Sequence, residues 1–258
     1  MIDSRKFSGF PQFKIVLLLV ALSMILGGCS LFKKQETAVS TPEKLYALAS
    51  DEYKENNYSQ ARVYFTRLKE EYPLHDMAVL AEIGIADSYY SDKEYVEAEN
   101  AYSDFMAMHP VNENVPYAIY QIGMCSYHQM EAIDRDQTET MKARRAWEKL
   151  ISRYPDSKFS PLAETKLKEV KQKLAQREFY IGSFYLKKKK YQAALARFET
   201  IAREYANSGI DIKVKKFIDE TKAKIAEEEK EKLEKVAKEK KKAQKEQQKL
   251  SREDKTKQ

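Results

Sequence analysis

One pattern written twice constrains this chain more than anything else in it. Tyr58, Ala61, Phe65, Leu68 and Pro73 recur 37 residues later as Tyr95, Ala98, Tyr102, Phe105 and Pro110. Spacings of 3, 4 and 3 set the first four residues of each group on one face of a helix, and the proline stops that helix. A lone helix of this kind has nothing to bury its stripe against, whereas a stack of helix pairs does. A period in the thirties therefore predicts a helix–turn–helix solenoid.

The pattern extends further along the chain. Pro42 opens a helix with Leu45, Ala49 and Tyr53 inward and Thr41 placed to cap it, which completes a first repeat. The second repeat runs from about His75 to Pro110. The third carries Ala143, Trp147, Leu150 and Pro155, which lie 45 rather than 37 residues after their counterparts, so eight extra residues fall in the polar stretch Ile133 to Glu139. The fourth carries Tyr191, Ala194, Phe198 and Ile201, 51 residues further on, and this predicts a lengthened first helix from about Pro161 to Leu186. Its stopping proline is missing. A half-repeat from Ile210 to Ala226 caps the array. With only 7 Gly and 7 Pro in 258 residues, a loop-rich all-β fold is excluded. The expected fold is an all-α, right-handed solenoid of about five helix pairs over residues 42–226.

Ile-Gly occurs at 83–84, 122–123 and 181–182, each time in a first helix. Glycine inside a helix costs about 1 kcal/mol relative to alanine. Three uses at one structural position predict close approach of the paired helix.

Residues 1–28 read as a lipoprotein signal peptide. Arg5, Lys6 and Lys14 precede an apolar run from Ile15 to Leu26, too short for a comfortable membrane span. Leu26-Gly27-Gly28-Cys29 resembles the bacterial lipobox, in which Cys29 takes the lipid and becomes the first mature residue. Three acyl chains there give stable anchoring. In lipoproteins of enterobacterial type, Ser30 rather than Asp implies the outer membrane. Residues 29–41 form a lipidated tether. Cys125, left alone in an apolar helical context, reads as a buried structural thiol.

Residues 227–258 form a lysine-rich tail. Residues 211–258 hold 17 Lys or Arg against 12 Asp or Glu, which is +5 of the chain's net +6. No core forms there, so the tail is a solitary charged helix or disordered. Export from the cytoplasm argues against nucleic acid as a partner.

No catalytic constellation is present, and nothing points to a cofactor or a metal. The three histidines, His75, His109 and His128, are dispersed, and there is no His-Glu-x-x-His, Cys-x-x-Cys or Gly-rich phosphate loop. The chain does not read as an enzyme. One odd polar cluster, Asp134-Arg135-Asp136-Gln137-Thr138, sits in the eight-residue insertion, where Asp136 or Thr138 can cap the next helix and Arg135 can pair locally.

The small, aromatic and terminal-proline positions resemble the tetratricopeptide repeat. The lipobox, tether, repeats and the Asp134–Thr138 segment followed by Ala143, Trp147, Leu150, Tyr154 and Pro155 together resemble the BamD family of outer membrane protein assembly factors. The resemblance implies a lipid-anchored scaffold on the periplasmic face of the outer membrane. Its implied partners are BamA, other Bam lipoproteins and unfolded β-barrel precursors. It also implies partner contacts at Arg197 and at Asp134, Arg135 and Asp136. A groove edged by Tyr46, Tyr53, Tyr64, Tyr89 and Tyr90 would take the precursor's aromatic-ended signal. The long tail departs from the compact end such proteins show. The alternative is another lipidated repeat scaffold, such as a pilotin for secretin or pilus assembly, or a cell-envelope coordinator.

Overall fold

A computed structural model describes residues 40–256. The signal segment, Cys29 and the tether up to residue 39 lie outside the described residues. Within residues 42–256 the chain is a stack of helices, with no strand among the described residues. The order is α1 (Pro42–Lys54), α2 (Tyr58–Glu71), α3 (Asp76–Ser91), α4 (Tyr95–Met108), α5 (Val115–His128), α6 (Thr138–Arg153), α7 (Ser160–Lys187), α8 (Tyr191–Glu204) and α9 (Asp211–Thr256). Each helix packs on the one before and the one after, and α1 also touches α3. The fold is thus an all-α solenoid of four helix pairs followed by one long helix.

The repeated residues do what their spacing predicts. Ala61, Phe65 and Leu68 on α2, Ala98, Tyr102 and Phe105 on α4, Ala143, Trp147 and Leu150 on α6, and Ala194, Phe198 and Ile201 on α8 are all buried. Each second helix ends on the same closure: the N–H of Tyr72, His109, Tyr154 or Tyr205 bonds back to the carbonyl of Leu68, Phe105, Leu150 or Ile201. The fourth repeat closes with the same bond although no proline follows it.

The turns inside repeats one, two and four are copies of one another. Asn56, Lys93 and Lys189 each take a left-handed conformation (φ of 64°, 66° and 58°) two residues before the second helix. The following amide reaches back five residues, as in Asn57 N to Glu52 O at 2.8 Å, Glu94 N to Tyr89 O at 2.9 Å and Lys190 N to Tyr185 O at 2.9 Å. In the third repeat this turn is replaced by residues 129–137, where the spacing placed the insertion.

The long α7 serves two layers. Ala163, Leu167, Val170 and Leu174 bury its first half, and Gly182 brings its second half against α8. Helix α9 begins with a packed segment that buries Val214 and Thr221, then continues unbroken past residue 226. From Glu229 its described residues are all exposed. The tail is therefore helical among the described residues.

The glycine expectation needs correction. A Cβ on Gly123 would enter the Trp147 indole, and one on Gly182 would lie 2.6 Å from the Phe198 ring, so these two meet the second helix of their own repeat. Gly84 instead meets Phe65 of the preceding repeat, at 2.6 Å. It sits two residues before the shared position, which Ala86 holds in the second repeat and Ala49 in the first. Phe65 tips forward onto α3 and Tyr102 turns its hydroxyl towards Asp87, so Ala49 and Ala86 keep room for a methyl group.

Candidate functional site

The first helices of the repeats build a cleft of about 720 Å³. Tyr46, Ser50 and Tyr53 recur at four- and three-residue steps on α1 and form one wall. Leu80, Ile83, Gly84 and Asp87 share a face of α3 and form the floor, with the tip of Phe65 reaching through beside Gly84. Tyr117 of α5 and Phe159, just before α7, close the far side. Three polar groups sit at its rim: Glu113, Lys54, which pairs with Asp51 at 3.0 Å, and Lys158, whose ammonium lies 5.2 Å from the Phe159 ring centroid.

A hydrogen-bond network sits under the floor. The Tyr102 hydroxyl donates to Asp87 Oδ1 at 2.5 Å and the Tyr117 hydroxyl donates to the same oxygen at 2.7 Å. Gln121 Nε2 donates in turn to the Tyr117 hydroxyl at 3.0 Å. Burial pushes the Asp87 carboxyl above the usual carboxylate range, against the lowering effect of the two hydroxyls. Burial together with the negative charge of Asp87 pushes both tyrosines up strongly, so they remain donors. The Tyr53 and Ser91 hydroxyls are hydrogen-bonded at 2.7 Å, which ties α1 to α3.

Of the five tyrosines expected at a groove, Tyr46 and Tyr53 line this cleft and the other three do not. Tyr64 belongs to a second helix and packs against the Phe65–Leu68 cluster, whereas the cleft is built from first helices. Tyr89 lies under the Arg62 guanidinium at 4.4 Å, and Arg62 is itself paired with Asp92 and Glu94. Tyr90 shares a 2.9 Å hydrogen bond with His128 Nε2, and burial pushes its hydroxyl up to about 12. The reason is rotational: the cleft face of α3 runs 80, 83, 84, 87, and its next member is Ser91 rather than Tyr89 or Tyr90. Asp87, Tyr117 and Phe159 were not foreseen, although that 80–87 spacing carried the signal for Asp87.

A second surface surrounds the insertion. Asp134, Arg135 and Asp136 are exposed, and the buried Gln137 holds the loop that presents them. Its Nε2 donates to the carbonyls of Ala132 at 2.8 Å, Asp136 at 3.0 Å and Arg135 at 3.3 Å, while its Oε1 accepts from Thr140 at 2.9 Å. Asp136 Oδ1 accepts the Thr138 N–H at 2.7 Å, and hydrogen bonding from the Thr138 side chain, together with that backbone bond, holds its carboxyl below the usual range. Arg135 is held through its backbone: its N–H donates to the Ala132 carbonyl at 3.0 Å and its carbonyl accepts from Gln137 and Arg177, while among the described residues its guanidinium meets no carboxylate. The neighbouring Glu178 pairs with Arg197 at 3.0 Å. An apolar pocket of about 380 Å³, lined by Ile133, Phe179, Tyr180 and Ile210, opens on the same stretch of α7. One run of α7, Arg177 to Tyr180, thus links the insertion to Arg197.

Elsewhere the polar residues have structural work. His75 caps α3 by accepting the Met77 N–H at 3.2 Å, and His109 pairs with Glu82 at 3.0 Å. Cys125 is buried and its thiol is pushed up to about 12 by burial, so no thiolate forms near neutral pH. Among the described residues no group of three or more His, Cys, Asp or Glu could hold a metal ion. No helix among them is long and apolar enough to cross a membrane.

Residues 39–243 match the profile of a family described as YfiO, outer membrane lipoprotein. Three similar relatives are each called outer membrane protein assembly factor BamD. The one from Caulobacter vibrioides is 29% identical over 204 residues, covering 78% of this chain and 66% of that one. The one from Rickettsia prowazekii is 29% identical over 192 residues, covering 74% and 76%. The one from Neisseria meningitidis serogroup B is 29% identical over 210 residues, covering 76% and 79%. Solved structures overlap loosely: a complex of the TPR2AB domain of yeast Sti1 matches with a TM-score of 0.42 at 17% identity, over 71% of this chain and 70% of that one.

Proposed function

The chain belongs to the YfiO family of outer membrane lipoproteins, and from that premise we propose that it is a scaffold for outer membrane protein assembly. It is anchored by lipid on Cys29 at the periplasmic face of the outer membrane. It holds the barrel protein BamA, together with other Bam lipoproteins, and receives unfolded β-barrel precursors. The observation that carries this reading is the extent of the match: it runs through every repeat and through the insertion, and the relatives named as assembly factors align over three quarters of the chain.

The two surfaces divide the work. The cleft between first helices receives an extended precursor segment, with side chains entering between Tyr46, Phe65 and Phe159 while polar groups stay at the rim. The surface around Asp134, Arg135, Asp136 and Arg197 takes the periplasmic part of BamA. Its exposed charges fix orientation around the apolar Ile133–Tyr180 pocket, which accepts an anchoring side chain. On this reading the chain acts by holding partners, in keeping with the family to which it belongs.

Co-purification from detergent-solubilised outer membranes tests this. The tagged protein should bring down a large β-barrel protein with several periplasmic domains, and Arg197→Ala together with Arg135→Ala should weaken that association. Recovery of a secretin in its place would favour a pilotin and overturn the proposal. Anchoring is read separately: Cys29→Ala should release the protein from the membrane.

A further inference from the structure

The Asp87 carboxylate is an uncompensated charge in the floor of the cleft. Both of its hydrogen bonds, from Tyr102 and Tyr117, fall on Oδ1. Oδ2 receives no bond from any described residue, and it is not sealed within the protein. No cation pairs with Asp87 among the described residues. The nearest lining cations are engaged at the rim, Lys54 with Asp51 and Lys158 over Phe159. A carboxylate drawn partly out of water with no cation beside it and one oxygen unbonded is an unfavourable state of the free protein, and a ligand that supplies the missing charge and donors relieves it. The same space is walled by the rings of Tyr46, Tyr53, Phe65, Tyr117 and Phe159. Aromatic faces around a single carboxylate suit a cation carried on an apolar stem, which is the shape of an arginine or lysine side chain.

We propose that Asp87 is a specificity-determining residue of the cleft, selecting extended peptide segments that place an arginine or lysine beside apolar residues. The cationic head meets Oδ2, its methylene stem lies along the aromatic walls, and neighbouring apolar side chains of the peptide fill the space over Leu80 and Ile83. The Tyr102–Asp87–Tyr117 network positions the carboxylate by holding Oδ1, which leaves Oδ2 directed to the ligand. This inference rests on the reading of the cleft as a peptide site.

The test uses the chain from Ser30 to Gln258, which retains every described helix, and three fluorescent peptides of alternating apolar sequence ending in phenylalanine. The peptides differ at one central position: arginine, glutamine or glutamate. Binding is followed by anisotropy. The arginine peptide should bind roughly ten- to a hundredfold more tightly than the glutamine peptide, the range of a charge-assisted hydrogen bond in a partly buried site, and the glutamate peptide should bind most weakly. Asp87→Asn should reduce the arginine-over-glutamine preference to within about twofold. Tyr46→Ala should weaken all three peptides alike and leave the preference intact. Equal affinities for the three peptides overturn the role of Asp87 while leaving the cleft a peptide site. An arginine preference that survives Asp87→Asn overturns it as well. Absence of binding by every peptide overturns both readings. The peptide series on the unaltered chain does not depend on any variant folding.

Discussion

Replacing Gly123 by alanine should destabilise the protein although alanine is the better helix former. The substitution gains about 1 kcal/mol of intrinsic helix preference in the middle of α5. Against that gain, the new methyl group would occupy space now filled by the Trp147 indole. Trp147 has no exposed surface, and its Nε1–H donates to the Tyr120 carbonyl at 3.2 Å, so the ring has nowhere to retreat without giving up that bond. Overpacking costs about 1–3 kcal/mol, and a stranded indole N–H adds about 1–3 kcal/mol. The net loss is about 1–5 kcal/mol once the helix gain is subtracted. The assay is urea denaturation followed by far-ultraviolet circular dichroism, which does not depend on the single tryptophan. It is run on Gly123→Ala, Trp147→Leu and the double variant. In the Trp147→Leu background the alanine should be neutral or stabilising, because the obstructing ring is gone. Additive effects in the double variant, or an unchanged midpoint for Gly123→Ala, would refute the close-approach argument.

Other consequences can be measured separately. Lys93→Gly, at a left-handed turn position, should stabilise by about 1 kcal/mol, read as a rise in the denaturation midpoint. Cys125 should resist a thiol reagent at pH 8 until denaturant is added, since its thiol is pushed up to about 12; rapid labelling of the native chain would contradict its burial. The Asp87 carboxyl, raised from 3.8, favours the folded state most below that value, and this contribution is lost as pH rises through the folded value. At pH 7 Asp87→Asn should therefore melt no lower than the unaltered chain, with its relative advantage shrinking towards pH 3. Deleting residues 233–258 removes only exposed described side chains of α9 and should shift the melting temperature by less than about 2 °C.

The helices were legible in the sequence because their signal is local. Ala61, Phe65 and Leu68 announce a buried face within a single helix, and copies at 98–105, 143–150 and 194–201 give the register of the stack and the place of its insertion. The glycines were harder to read. Ile83-Gly84 has the same dipeptide as 122–123 and 181–182, yet the ring it accommodates comes from the previous repeat, and only the tilt of Phe65 decides that. The cleft was less legible still. Tyr46 and Tyr53 lie on a stripe that α1 shows by itself, whereas Asp87 gains its meaning from Tyr102 and Tyr117, which lie 15 and 30 residues away. A tyrosine count cannot separate Tyr53, which faces the cleft, from Tyr90, whose hydroxyl is bonded to His128.

The most direct test of the scaffold role is depletion of the protein in growing cells followed by quantitative profiling of outer membrane proteins. The account predicts a general fall in inserted β-barrel proteins, with their unfolded precursors accumulating in the periplasm. A normal barrel complement after depletion, or loss confined to a single secretin, would contradict it.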